Sequence, residues 1–397
     1  MKRGDRWLLP DGVDEVLPPQ AETLETLRRT ILDLFRSWGY ELVLPPLVEF
    51  LESLLSGIGE DLDLQTFKLT DQVSGRLMGV PADITPQVAR IDAHRLASPH
   101  PRRLCYLGPV LHTKPDKFAG SRNPLQLGAE LYGHQGIESD AEVVCLMVEV
   151  LRAAGLLNVT VELGHMGVFK GLVAAAALPV DDEGRLLDAL LRKAADEVHR
   201  CVHDSGVEPR LADCLCALLE LNGGPDVAVA ARSRLQHAPA AVLAALGSLA
   251  ELIGQVQRRN PTLDLHVDFA ELRGYRYHTG VMFAAYTPSL GRAIACGGRY
   301  DNIGRLFGKA RPATGFSTDL KTLAALSGRQ AAPARKVFAP AGTTPELLAA
   351  IASQRAAGDI VIQELPGQSG SAAELGCAAR LELAGSTWSL RELNHKA

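Results

Sequence analysis

The feature that most restricts the fold of this chain is an interruption. Two groups of strand-forming segments are separated by the stretch from Val168 to Arg259, in which Ala, Leu and charged residues recur with helical periodicity. Pro179, Gly206-Val207-Glu208-Pro209 and Gly223-Gly224-Pro225 break that stretch into several helices. Before it, Leu24, Leu27, Ile31, Leu34 and Phe35 predict a helix over about Pro19 to Trp38, ended by Gly39. Tyr40 to Leu44 then reads as a strand stopped by Pro45-Pro46, since proline belongs at strand ends. Further strands are expected at Thr66 to Leu69, Arg76 to Val80, Arg103 to Leu107 and Pro124 to Tyr132, joined by short turns as in a meander and not by βαβ crossovers. A helix over Asp140 to Ala154 leads to the β-branched run Val159 to Leu163. Strand signals return at Leu263 to Phe269, Val281 to Tyr286 and Ala293 to Cys296, and a final helix begins near Thr318. The expectation is an α+β fold over residues 1–330: an antiparallel sheet flanked by helices, with a helical insertion at about 168–260. Ala331-Ala332-Pro333-Ala334 reads as a linker, and 331–397 as a small α/β domain that starts β-α-β (Lys336 to Ala339, Thr344 to Ala357, Asp359 to Leu365).

Composition narrows the function classes. Hydrophobic residues at 47% and charged residues at 22% are the balance of a folded chain with a sizeable core. A net charge of −5, from 41 basic against 46 acidic residues, supplies no electrostatic footprint for a polyanion. The seven cysteines are odd in number and mostly set among apolar neighbours, as in Leu104-Cys105-Tyr106, which points to a reducing compartment and a cytoplasmic protein. Cys214 and Cys216 form the one close pair, with no second pair or histidine at zinc spacing, so they read as buried thiols; neither a metal nor a cofactor is expected. No apolar core follows the charged N-terminus, and no stretch is read as long enough to span a membrane.

The most conspicuous local signal is the turn Cys296-Gly297-Gly298-Arg299-Tyr300-Asp301. Paired glycines allow close approach of a backbone or ligand, and a structural bulge explains them equally well. The spacing is neither that of a Walker loop nor of a dinucleotide fingerprint. In company the turn becomes specific. It lies between Leu272-Arg273-Gly274-Tyr275 with Tyr277-His278-Thr279-Gly280 upstream and Pro312-Ala313-Thr314-Gly315-Phe316 downstream. Ahead of these, in order, come Asp83-Ile84-Thr85-Pro86-Gln87-Val88-Ala89-Arg90, Tyr106-Leu107-Gly108-Pro109 and Gln126-Leu127-Gly128-Ala129-Glu130. This ordered set resembles the catalytic domain of the histidyl-tRNA synthetases over roughly residues 5–330, and the helix, strand and Pro45-Pro46 resemble motif 1 of class II aminoacyl-tRNA synthetases, a dimerisation element in that family.

The resemblance implies a six-stranded antiparallel sheet with histidine and ATP bound side by side on it. Asp83, in place of a family glutamate, would bind the α-ammonium group of histidine with Thr85 and Gln126, because a buried cation needs acceptor oxygens. Glu130 would accept a hydrogen bond from the imidazole, Tyr277 and His278 would close over the ring, and Arg273 would face the carboxylate. The ATP side fares differently. The motif 2 arginine that clamps the α-phosphate falls on His112, the acidic residue for adenine on Lys114, the motif 3 arginine on Thr322 beside Lys321, and the arginine ahead of Asp83 on Pro81. Losing one such donor typically costs on the order of 100-fold in rate, so several losses should abolish adenylation. The C-terminal domain is also shorter than the family's anticodon-binding domain. A kept histidine half and a lost phosphate half resemble the regulatory subunits of ATP phosphoribosyltransferase. That implies no catalysis, no tRNA, a motif 1 homodimer, a short-form ATP phosphoribosyltransferase catalytic subunit as partner and L-histidine as feedback effector; the alternative that the resemblance leaves open is an active, divergent histidyl-tRNA synthetase.

The residues also admit plainer readings. Gln126, Gly128 and Glu130 alternate as polar residues on the solvent side of a strand would. Tyr277 and His278 fit a core aromatic and an exposed histidine, Arg273 a partner of a local carboxylate, and Cys296 a small buried residue. His165 and His266 read as structural.

Overall fold

The computed structural model describes residues 7–55, 60–96, 98–114, 121–275, 277–303, 311–328 and 334–393. It divides the chain into two units, Met1–Arg329 and Gln330–Ala397.

The first unit is built on one sheet whose order is Glu41–Val43, Arg102–Pro109, Leu125–Tyr132, Ala313–Asp319, Leu290–Arg299, Val281–Thr287, Thr160–His165, Asp264–Asp268, Asn222–Gly223. From Arg102–Pro109 to Thr160–His165 every neighbouring pair is antiparallel. Glu41–Val43 and Asp264–Asp268 add parallel partners at the two flanks. The second of these departs from the antiparallel expectation for a simple reason. The chain leaves Thr160–His165, makes its helical excursion and returns to the same side of the sheet, and such a crossover delivers a parallel strand. Phe67–Thr70 and Leu77–Val80 do not join this sheet; with Glu49–Phe50 they form a separate three-stranded one.

The core lies behind the sheet. The helix Gln20–Ser37 buries Leu27, Ile31 and Phe35, one residue per turn of a single stripe, and Gly39 at φ +79° with the Tyr40 N–H on the Phe35 carbonyl ends it. Phe35 meets Phe316 of the Ala313–Asp319 strand edge-on at 6.2 Å. The helix Ile137–Ala153 buries Val143, Val144, Met147, Val148 and Leu151 in the same core as Leu127, Ala129 and Leu131. The insertion consists of the helices Met166–Ala176, Val180–Leu191, Ala195–Asp204, Pro209–Ala217, Val227–Arg234 and Ala240–Arg259. By length and composition Ala240–Arg259 could cross a membrane, which corrects the reading that no stretch is long enough. Its Val242, Leu246, Leu249, Ile253 and Val256 are buried, and it packs on Ile137–Ala153 and Met166–Ala176 as a core helix.

The second unit has its own core. Its sheet runs Ile360–Gln363, Lys336–Ala339, Ala379–Ala384, Thr387–Glu392, and Val337, Val361 and Leu381 bury against Leu347 and Ile351 of the helix Pro345–Ala356. The linker read at 331–334 lies, apart from Ala334, outside the described residues.

Candidate functional site

The six antiparallel strands present one face to a cleft with two compartments. The inner pocket, of about 180 Å3, is lined by Asp83, Thr85, Glu130, Tyr277, His278 and Tyr300, over a floor of Cys296, Gly297, Gly298, Gly315 and Ser317. Glycine makes that floor possible. A Cβ on Gly315 would overlap the Glu130 carboxylate, one on Gly128 the Tyr106 hydroxyl, and one on Gly298 the His278 ring.

Glu130 stands at the centre, 1% exposed. Its Oε1 accepts from Thr85 Oγ1 and Tyr106 OH, both at 3.2 Å, and its Oε2 from Tyr300 OH. Burial pushes its carboxyl up to about 8, the Tyr300 hydroxyl opposes that shift, and the Asp83 charge adds to it. Asp83 sits at the entrance to the helix Thr85–His94, where its Oδ1 accepts from the Thr85 N–H at 3.0 Å and from Gln126 Nε2 at 2.8 Å. Gln126 Oε1 in turn accepts from the Ile84 N–H at 2.8 Å, so the amide fixes the segment that carries Asp83. Tyr277 stacks on Tyr300 at 5.0 Å, with His278 edge-on to Tyr277 at 5.3 Å. The Tyr277 hydroxyl and His278 Nδ1 are buried without a protein partner. Burial lowers the His278 ring to about 4, so it is neutral.

Arg299, Tyr300 and Asp301 hold the site from behind. The buried Arg299 fork binds Asp140 Oδ2 at 2.8 and 3.1 Å, Ser139 Oγ at 2.9 Å and the Gly136 carbonyl at 3.2 Å, which ties the strand end to the start of the helix Ile137–Ala153. Asp301 Oδ1 accepts from the Ala313 N–H at 2.9 Å.

The outer compartment, of about 610 Å3, includes Gln65, His112, Gln126, Arg273, Arg292, Thr318 and Asp319, and it shares Asp83, Cys296 and Ser317 with the inner pocket. Arg273 is turned onto Glu271, with Nε to Oε1 at 2.6 Å and Nη2 to Oε2 at 2.9 Å, and it reaches the Tyr286 hydroxyl at 2.7 Å. His112 Nε2 meets the Ala82 carbonyl at 2.9 Å. Thr322 Oγ1 donates to Asp319 Oδ2 at 2.7 Å, and Lys321 pairs with Asp14 at 3.3 Å.

Comparison with known sequences and structures fits this geometry. The family described as histidyl-tRNA synthetase matches residues 12–323, and that described as the ATP phosphoribosyltransferase subunit HisZ C-terminal domain matches residues 334–391. The protein named ATP phosphoribosyltransferase regulatory subunit from Thioalkalivibrio sulfidiphilus is 56% identical over 378 residues, 95% of this chain and 96% of that one. Its namesake from Alkalilimnicola ehrlichii is 55% identical over 382 residues, 96% of this chain and 95% of that one. This chain belongs to the ATP phosphoribosyltransferase regulatory subunit family. A solved structure from Bacillus halodurans, described as an ATP phosphoribosyltransferase regulatory subunit/histidyl-tRNA synthetase, superposes with a TM-score of 0.81 at 26% identity, covering 93% of this chain and 95% of its own. The histidyl-tRNA synthetase of Nostoc sp. PCC 7120, at 19% identity and a TM-score of 0.77 over 97% of this chain and 94% of its own, shares the fold.

In this member of the regulatory subunit family, the residues singled out from sequence fall into two groups. Asp83, Thr85, Glu130, Tyr277 and His278 line the inner pocket, while Gln126 and Arg273 line the outer compartment. Arg273 pairs with a local carboxylate and does not enter the inner pocket. The plain reading of Glu130 as a solvent-side residue fails against its burial. Cys296 is also corrected: it is exposed to solvent on the cleft floor, although the surrounding protein pushes its thiol up to about 11. Tyr106 and Tyr300 were missed. Both are buried aromatics whose single polar atom points at Glu130, and the adjacency of Tyr300 to the paired glycines was the available signal.

Proposed function

We propose that this chain is the regulatory subunit of an ATP phosphoribosyltransferase in histidine biosynthesis. It docks on a short-form catalytic subunit, is required for that subunit's activity and carries feedback inhibition by L-histidine. The observation that carries this reading is the asymmetry of the cleft. The inner pocket offers the carboxylate of Asp83, the buried acid Glu130 and two unpartnered polar atoms to a small imidazole amino acid. Of the positions that would hold nucleotide phosphates, His112 lines the outer compartment and is bound to the Ala82 carbonyl, and Thr322 lies behind it on Asp319. Stabilising charge that moves over phosphate oxygens needs cations free to meet it; of the two arginines that line this compartment, Arg273 is paired with Glu271 and Arg292 donates to Thr322. Exposed Leu42, Leu44, Leu47 and Val48 around the motif 1 segment support a homodimer through that surface, and seven free thiols fit a reducing cytoplasm. The acidic net charge argues against a tRNA partner.

Feedback requires that histidine bind the active and inhibited assemblies with different affinity. The test combines the purified chain with a short phosphoribosyltransferase catalytic subunit and follows both assembly and turnover. The expected result is activity only in the assembled complex, lost on adding histidine. Histidine-dependent exchange of pyrophosphate into ATP by the chain alone would overturn the reading.

A further inference from the structure

Among the described residues, Glu130 receives hydrogen bonds from three hydroxyls and from no cation. Each hydroxyl has one hydrogen, and Thr85 Oγ1 also lies 3.0 Å from the Tyr106 hydroxyl, so a hydrogen shared within that pair is withdrawn from the carboxylate. Among the described residues, the other ionisable groups around it are Asp83 at the helix entrance, Tyr132 on its own strand, and Tyr277 with His278 on the closing segment; Gly315 across the sheet offers none. None of these is positively charged, and His278 is held neutral by burial. A carboxyl so enclosed is stable as the acid, or as the anion only when a ligand brings a positive charge to it. Its own shift, up to about 8, agrees. The Tyr277 hydroxyl and His278 Nδ1, buried without a protein partner on residues that line the same pocket, leave hydrogen-bonding capacity there for a polar ligand.

We infer that Glu130 and the ring of a bound imidazole ligand hold one proton between them, so the pocket selects its ligand by an exchangeable ring proton and not by shape alone. This deepens the proposed histidine site and rests on it. The proton count follows. An imidazole ring with its ordinary value of about 6.5 is neutral near pH 7 while Glu130 is protonated, so one proton is present before and after binding and none is exchanged. In more acid solution ring and carboxyl each carry a proton, and binding releases one. Above about 8 neither carries one, and binding takes one up. Affinity is therefore flat near neutrality and falls up to tenfold per pH unit on either side.

The test is calorimetric titration of the full chain with L-histidine from about pH 5.5 to about pH 9, in pairs of buffers with different ionisation enthalpies. Expected is release approaching one proton at the acid end and uptake at the alkaline end. The ligand's α-amine also titrates at the alkaline end, so the decisive quantity there is the difference from Glu130→Gln, which should approach one proton. A triazole analogue of histidine, whose ring is far less basic, should release none at the acid end. Should Glu130→Gln fail to fold or bind, the carbon chemical shift of the Glu130 carboxyl in the unaltered chain serves instead: it should titrate near 8 without ligand and cease to do so with histidine bound. Histidine binding with no proton exchange at the acid end, with equal exchange in both proteins, or with a carboxyl already ionised at about pH 6, overturns the inference alone. No binding of histidine at millimolar concentration overturns the proposed function and the inference with it.

Discussion

At the scale of single residues, the pocket depends on what is missing as much as on what is present. Gly315 has no side chain where the Glu130 carboxylate lies, so Gly315→Ala should displace that carboxylate and lower histidine affinity by at least tenfold, read by calorimetry, with far-ultraviolet circular dichroism unchanged. The buried acids and bases also set the stability profile. His165 and His278 are held neutral, both lowered to about 4 by burial, whereas in the unfolded chain they titrate near 6.5. Between those values the unfolded state binds more protons, so stability falls as pH drops from about 6.5 to about 4. Glu130 acts in the opposite direction. Its folded value of about 8 lies above the ordinary 4.5, the folded state binds the extra proton, and stability falls as pH rises through that window. Thermal melting of the ligand-free chain should therefore show losses on both sides of a mildly acid optimum. Glu130→Gln should flatten the alkaline loss and leave the acid one. Of these residues, Glu130 and Asp83 were legible in sequence because they sit in an ordered motif set. Tyr106 was not, because a tyrosine inside an apolar strand reads as core until its hydroxyl is seen to meet a carboxylate.

At the scale of elements, the site is held by contacts between segments far apart in the chain. Arg299 joins the end of the Leu290–Arg299 strand to the helix Ile137–Ala153 through Asp140, Ser139 and backbone carbonyls. Removing it leaves Asp140 buried without its cation, so Arg299→Ala should cost about 3–5 kcal/mol in urea denaturation. Arg299→Lys should recover only part, since an ammonium cannot reproduce the planar fork. The helix Thr85–His94 has a comparable role: Thr85 faces Glu130 at its start, and Gln87 and Arg90 bind the Pro46 carbonyl and Glu49 one turn later. The pocket and the motif 1 segment thus share one short helix. The helices on either side of the sheet were legible because a 3.6-residue stripe is a local pattern. The central strand Ala313–Asp319 was not, because it is buried on both faces and short of apolar side chains, which removes the alternation that marks a half-buried strand.

At the scale of the whole molecule, the exposed leucines around Glu41–Val43 and Pro45-Pro46 are the surface expected to pair two copies. Leu44→Asp combined with Leu47→Asp should convert a dimer to a monomer in sedimentation velocity while the melting of each chain stays cooperative. The second unit has a separate core around Val337, Leu347 and Val361, so a chain ending at Arg329 should keep the histidine affinity of the full chain by calorimetry.

Sequence by itself determined the α+β class, the helical insertion between two sets of strands, and the ordered motifs that assign the family, since these are written in local periodicity and in the order of residues along the chain. Only the tertiary structure decided the parallel return of Asp264–Asp268, the pairing of Arg273 with Glu271, the opening of Cys296 to the cleft and the hydroxyl cage around Glu130. Each depends on which distant segments become neighbours and how much water is left between them. Glu130 shows the division most clearly: its position in a motif made it a candidate ligand residue, but its burial among three hydroxyls, with no cation on it among the described residues, is what pushes its carboxyl up.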